Sequence, residues 1–279
     1  MQKTFEIDGP AELEVRLASG EIVVEPTLEG ALEVELTAHD DESQRLVDDA
    51  RIELNGRHLV VDVPNKRGGF NFSLGFARQG ITCRIRCPRS SELSVRSKSA
   101  DVVARGTIGG LTVATASGDV EADRVEGGVN IKSASGDVRV QEVDGGVNIQ
   151  TASGDIALEV VRGAVNATTV SGDLTIGAAH DNVSANTVSG DQVHSAVVRG
   201  NISAHSVSGD VSIGVRRGSQ VYLDCNTVSG ETSSELEVTP DAPAGDGPLV
   251  EIRAKTVSGD IRITRAPALS QSDAQEVHA

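Results

Sequence analysis

One tripeptide places acids at a fixed spacing. Ser-Gly-Asp occurs at Ser117-Gly118-Asp119, Ser135-Gly136-Asp137, Ser153-Gly154-Asp155, Ser171-Gly172-Asp173 and Ser189-Gly190-Asp191, each 18 residues after the last. It returns at Ser208-Gly209-Asp210 and Ser258-Gly259-Asp260, with variants at Ser99-Ala100-Asp101 and Ser229-Gly230-Glu231. If successive units stack as neighbouring strands, their carboxylates lie about 4.8 Å apart. In water each neighbouring pair then repels by about 0.9 kcal/mol before salt screening. Calcium relieves such repulsion in solenoids built from Gly-Gly-x-Gly-x-Asp nonapeptides. That motif sets an Asp every nine residues, whereas here each 18-residue unit carries one at the corner. Hydrogen bonds from Ser and Asp to corner amides explain the column without a cation. Asp119, Asp137, Asp155, Asp173, Asp191, Asp210 and Asp260 are therefore read as a structural turn column, and no metal or cofactor is expected.

Other catalytic patterns are not found. The chain has no Gly-x-Ser-x-Gly elbow, phosphate loop or His-Glu-x-x-His pair. His39, His58, His180, His194, His205 and His278 lack ligand spacing and read as solvent-facing. Cys83 and Cys87 have no His or Cys companions for zinc and read as core thiols. On one strand they would sit about 13 Å apart, too far for a disulfide. Solenoid polysaccharide lyases and hydrolases need clustered acids or an Arg beside a sugar groove, and Tyr222 is the only aromatic of the repeat region. Thr151, Thr169 and Thr187 read as one outward column, where an ice-binding face needs two. The expectation is a protein without enzymatic activity.

A different stretch suits binding. Residues 64–89 hold Lys66, Arg67, Arg78, Arg84, Arg86 and Arg89 and no acid, while the rest of the chain carries a net −22. Phe70, Phe72 and Phe76 lie within it, three of only five aromatics. Lys66, Arg67, Phe70, Phe72, Phe76, Arg78, Arg84 and Arg86 form the candidate interaction surface; the plainer alternative is that the rings cap the core and the arginines solvate an edge strand.

These residues must be positioned by repeated short strands. In each unit the aliphatic residues alternate with polar ones on both sides of the Ser-Gly-Asp, as in Val129-Asn130-Ile131-Lys132 and Val138-Arg139-Val140-Gln141. Leu111, Val129, Val147, Val165 and Val183 align as one column, and Val120, Val138, Ile156 and Leu174 as another. Gly109, Gly127, Gly145 and Gly163 mark a second corner, where a backbone costly for other residues is expected. The pattern predicts an all-β fold, a single-chain parallel β-solenoid with about 18 residues per rung. A left-handed hexapeptide coil needs an aliphatic residue every six, and from Val129 that register meets Ser135 and Gln141. A right-handed β-helix is expected, the usual hand of parallel crossovers.

Residues 1–90 are strand-rich but irregular and are expected to cap the coil. Within them, 11–25 alternates around Leu13, Val15, Ile22 and Val24 with a divergent corner at Ser19-Gly20-Glu21. Residues 40–50 read as a short helix and 51–63 as a hairpin turning at Asn55-Gly56. Residues 91–265 form the solenoid, with a Pro- and Gly-rich loop insertion at about 239–248, and 266–279 a flexible tail. The 279 residues carry 41 acids against 25 bases, a net −16 that argues against binding nucleic acid or anionic lipid. No stretch is long and apolar enough for a transmembrane segment, and the first residues lack the apolar core of a signal peptide. A cytoplasmic location is expected, and surface display would need a non-standard export route.

The Ser-Gly-Asp units followed by Val-x-Val strands, with an irregular β-rich start bearing its own Ser-Gly-Glu, resemble the bacterial "putative adhesin" family of β-strand repeats, a domain of unknown function. The resemblance spans residues 5–265 and implies a right-handed β-solenoid without known catalysis. The family name implies surface adhesion. The partners expected are a protein or a second copy of the chain, with carbohydrate not favoured.

Overall fold

The computed structural model describes residues 1–64, 80–236 and 247–266. Among these are twenty-three strands and one helix, and the protein is a parallel β-solenoid. It divides into two compact units, Met1–Gly145 with Ile149–Ser153, and Gly146–Asn148 with Gly154–Ala279.

The first unit contains β1 (Gln2–Glu6), β2 (Glu12–Glu25), β3 (Ala31–Ala38), α1 (Asp41–Asp48), β4 (Arg51–Asn55), β5 (His58–Asp62), β6 (Ile81–Arg86), β7 (Glu92–Ile108), β8 (Gly110–Ala114), β9 (Val120–Val125), β10 (Val129–Ser135) and β11 (Val138–Val143). β12 (Val147–Ser153) supplies residues to both units. A complete rung already exists in β2, which lies parallel to β7 with Leu13 beside Leu93, Val15 beside Val95, Gly20 beside Ala100 and Ile22 beside Val102. The divergent Ser19-Gly20-Glu21 thus occupies the same corner as Ser99-Ala100-Asp101.

On the other side of β2 the stack is terminated. β5 pairs with its first half and β6 with its second. Antiparallel strands then close the ladder, β4 on β5 through the Asn55-Gly56 turn and β3 with β1 on β6. Antiparallel pairing breaks the parallel repeat, so this ribbon is a cap rather than another rung. The predicted helix is α1, started by Asp40, which accepts bonds from the Ser43 amide and hydroxyl, both at 2.7 Å, and burying Leu46 and Val47.

The second unit contains β13 (Ile156–Val161), β14 (Val165–Ser171), β15 (Leu174–Ala179), β16 (Val183–Ser189), β17 (Gln192–Val197), β18 (Gly200–Ser208), β19 (Val211–Val215), β20 (Gln220–Ser229), β21 (Thr232–Ser234), β22 (Leu249–Ser258) and β23 (Ile261–Arg265). Its two faces stack as β14-β16-β18-β22-β20 and β13-β15-β17-β19-β23-β21. The last rung in sequence is therefore not the last in space. β22 and β23 lie inside, and the earlier β20 and β21 form the end. Side-chain polarity explains the exchange. Ile261 and Ile263 oppose Thr232 and Ser234 in register, so the aliphatic rung takes the enclosed slot and the polar one the exposed end.

The corners show why Gly and Asp recur. Gly190 and Gly209 adopt φ of +140° and +147°, and a Cβ on either would meet the carbonyl oxygen of the preceding corner glycine at 2.2 Å. At the second corner the reason differs from the expected backbone conformation. Gly127 and Gly145 do not have positive φ, but a Cβ there would press on the carbonyls of Gly109 and Gly127 at 2.3 and 2.4 Å.

Corner carboxylates bond across to the next rung. In the first unit Asp101 accepts the Asp119 amide at 3.0 Å, and Asp119 that of Asp137 at 2.8 Å. In the second, Asp155 accepts from Asp173, Asp173 from Asp191, Asp191 from Asp210, Asp210 from Asp260 and Asp260 from Glu231, all at 2.8 to 2.9 Å. Removing one acceptor, as in Asp191→Ala, is expected to cost about 1–2 kcal/mol. Asp191→Asn keeps the acceptor oxygen and removes one charge from the column, so its urea midpoint should match or exceed the unsubstituted protein's at low salt.

The threonine column faces inward, contrary to the outward reading. Thr151, Thr169 and Thr187 are buried and donate to the carbonyls of Ser153, Ser171 and Gly190. Strand alternation runs unbroken from Val165 through Ala167 to Thr169, so it is Val170 that points to water.

Candidate interaction surfaces

Of the basic and aromatic candidates, Lys66, Arg67, Phe70, Phe72, Phe76 and Arg78 lie outside the described residues. Arg84 and Arg86 sit on β6 in the cap. Arg86 is engaged, reaching Glu33 at 3.2 Å and Glu25 at 3.5 Å. Arg84 is half-buried, with its Nε enclosed and lacking a partner among the described residues. Cys83 and Cys87 are buried free thiols, pushed up by burial to about 12 and about 11, and so are inert. Among the described residues no group of three or more His, Cys, Asp or Glu is placed to hold a metal ion.

A polar groove of about 500 Å³ lies on the first unit, lined by Glu12, Glu14, His58, Glu92, Ser94 and Arg96 over a floor of Gly109, Gly110, Gly127 and Gly128. Strand register assembles it: His58, Glu12, Glu92 and Gly110 are successive neighbours across β5, β2, β7 and β8. At its centre Glu14 receives Arg16 at 2.7 Å, His58 at 3.4 Å and Arg96 at 3.5 Å. The hydrogen bond from Arg16 leads in holding the Glu14 carboxyl below its usual range; partial burial opposes it, and the charges of Arg16, Arg96 and His58 reinforce it. Glu14 is thus an ion-pair acceptor at neutral pH rather than a proton donor. Glu14 and Arg96 are 82 positions apart in sequence, so no local motif announces them.

In the second unit, His194 is 1% exposed, which corrects its reading as solvent-facing. It occupies the inward column between Ile176 and Ile213, and Gln192 that between Leu174 and Val211. Gln192 donates to Thr187 Oγ1 at 3.0 Å and to the His205 carbonyl at 2.8 Å. Its Oε1, both His194 ring nitrogens and Ser206 Oγ are buried without partners among the described residues. Burial pushes the imidazole down to about 4. The signal was Gln192-Val193-His194, which inverts the polarity of the usual Val-x-Val strand and leaves Val193 facing water.

The same unit carries an outward aliphatic column. Val170, Val188, Val207, Val257 and Val228 are 47–80% exposed and align across β14, β16, β18, β22 and β20. Exposed serines flank it on the corner side, at Ser171, Ser189, Ser208, Ser258 and Ser229. On the other side the outward neighbours in the same strands are polar, Thr168, Asn186, His205, Lys255 and Asn226.

The rung register, both corners and the capped start supply the setting for comparison with known proteins. The profile of the Toastrack DUF4097 family matches residues 11–264, which begins at the mouth of β2 and ends in β23. The chain belongs to that family. No curated protein matches the sequence of this chain. Solved structures similar to this toastrack include a "putative adhesin" from Bacteroides fragilis, 12% identical, covering 94% of this chain and 96% of that one with a TM-score of 0.46. Another is a "putative lipid binding protein" from Parabacteroides distasonis, 15% identical, covering 94% and 96% with a TM-score of 0.37. A "putative cell adhesion protein" from Clostridium sporogenes is 11% identical, covering 95% and 99% with a TM-score of 0.30.

Proposed function

We propose that this toastrack chain is a non-catalytic scaffold that holds a protein partner against the outward face of its second unit. The observation that supports this most is the ladder of five exposed valines in register. Exposed aliphatic side chains set contiguously between polar residues match the apolar centre and polar rim of a protein–protein contact. Parallel stacking holds the valines about 4.8 Å apart on a rigid backbone, so little side-chain entropy is lost on binding.

The double substitution Val188→Lys with Val207→Lys tests this. Both sites are exposed, so the melting temperature should be nearly unchanged, within about 0.5 kcal/mol of stability per site. Affinity for the native partner should fall about tenfold or more, because two desolvated charges replace apolar contact. Unchanged partner binding by the folded variant would contradict the reading.

A second reading, adhesion to a polar ligand, is favoured by the groove of the first unit. Its carboxylates and Arg96 can accept from and donate to ligand hydroxyls, and its glycine floor admits close approach. Arg96→Ala should weaken such binding while leaving the contact at the valines intact.

A further inference from the structure

The second unit ends, among the described residues, in an unfinished rung. Among the described residues no strand pairs with the far side of β20 or β21. The inward side chains Val221, Leu223 and Cys225 of β20 are only half-buried, whereas Val250, Ile252 and Ala254 beside them on β22 are fully enclosed. Among the described residues the end therefore presents an open strand edge about 33 Å long and an uncovered apolar interior. By contrast, antiparallel strands and a helix close the β2 end of the first unit.

We propose that the occupant of this end is the same end of a second copy, joined by a two-fold axis that sets β20 antiparallel to its mate. Charge argues for this partner. β20 starts beside exposed Arg216 and Arg217 and finishes at exposed Glu231, where the carboxylate column with Asp210 and Asp260 ends. A two-fold axis through the middle of β20 brings the basic start of each strand to the acidic finish of the other. The side-chain alternation also selects the register. Centring on Asp224 would set that carboxylate against itself. Centring on Cys225 opposes Asp224 with Asn226 and Tyr222 with Val228, an aromatic facing a β-branched residue. Tyr222 and Val228 are 58% and 80% exposed in the single chain. The same axis pairs β21 with its mate on the other face, and the closed symmetry ends the assembly at two copies rather than a filament. This contact uses the end of the coil and shares only Val228 with the valine face, so either reading can fail alone.

Light scattering on the full chain, with a monofunctional maleimide as the probe of Cys225, tests the pairing. The mass should double with rising concentration, and Cys225, half-buried at the edge of the single chain, should be alkylated in dilute solution and protected where the dimer forms, a labelling that Cys225→Ser abolishes. Cys83 and Cys87 are fully buried and should not react. Arg216→Glu with Arg217→Glu should weaken association by about tenfold or more, and adding Glu231→Arg should restore it. All these charged residues are exposed, so the melting temperature monitors folding separately. A monomer at every concentration would overturn the proposal, as it would if the chain's own residues covered the edge. A dimer insensitive to the charge reversals, or one whose Cys225 is alkylated as fast as in dilute solution, would overturn it too.

Discussion

Gly190→Ala should be among the most damaging single-methyl changes in the protein, lowering stability by about 3–5 kcal/mol. Two independent costs combine. The backbone at Gly190 has φ of +140°, a conformation that L side chains rarely adopt, and the new Cβ would lie 2.2 Å from the Gly172 carbonyl oxygen. That oxygen belongs to a stacked rung held on both sides, so it cannot retreat without breaking the ladder. Gly218→Ala separates the two costs. Its φ is +87°, but nothing lies within 4 Å of the added methyl, so only the backbone penalty remains, about 1 kcal/mol. Urea unfolding of the two variants beside the unsubstituted chain reads the difference. Equal losses would mean that inter-rung contact is not what requires glycine at the corner.

The second large effect is a loss of stability in mild acid that one histidine controls. Folded, the His194 imidazole is neutral and held down at about 4; unfolded, it titrates near 6.5. As pH falls below about 6.5 the unfolded chain takes up a proton that the folded chain refuses, so stability declines. The contribution is fully present above the unfolded value and is lost progressively as pH falls toward the folded one. Over that window the loss reaches about 3 kcal/mol. His194→Leu should remove this component, leaving a flatter profile between pH 6.5 and 4. It should also raise stability at neutral pH by about 1–3 kcal/mol, because two buried ring nitrogens without partners are replaced by apolar surface. A variant with the same acid sensitivity as the parent would show that His194 is hydrated or otherwise satisfied in the folded state. Glu14 titrates in the same direction, since its lowered pKa stabilises the fold only while it is ionised. Its midpoint lies below the ordinary carboxylate range, so its loss begins at lower pH than that of His194.

Much of the architecture was legible because each repeat states its rules locally. Alternation fixed which residues enter the core, the Ser-Gly-Asp spacing gave the rung, and Asn55-Gly56 marked a real hairpin. The same alternation, followed strictly from Val165, would have placed Thr169 inside and Val170 outside. Stacking order at the end was hidden because period measures distance along the chain, not position in the stack. Only the polarity of Thr232 and Ser234 against Ile261 and Ile263 reveals which rung is enclosed. The polar groove was hidden for a related reason, since Glu14, His58 and Arg96 meet only once β2, β5 and β7 are in register. His194 was misplaced because residue type was weighed over slot, and its slot belongs to Ile176 and Ile213. Of the basic segment, the described Arg86 proves to be tied down by Glu25 and Glu33, which leaves the exposed valines as the better-supported contact surface.

The proposed role is tested most directly by a photo-reactive residue placed at Val188 in cells that natively make the protein, with Thr175, exposed on the other face, as the control. A scaffold working through the valine column predicts one discrete protein adduct from position 188 and none from 175, lost again when Val207 is replaced by lysine. Adducts of equal yield from both faces, or none from position 188, would contradict it.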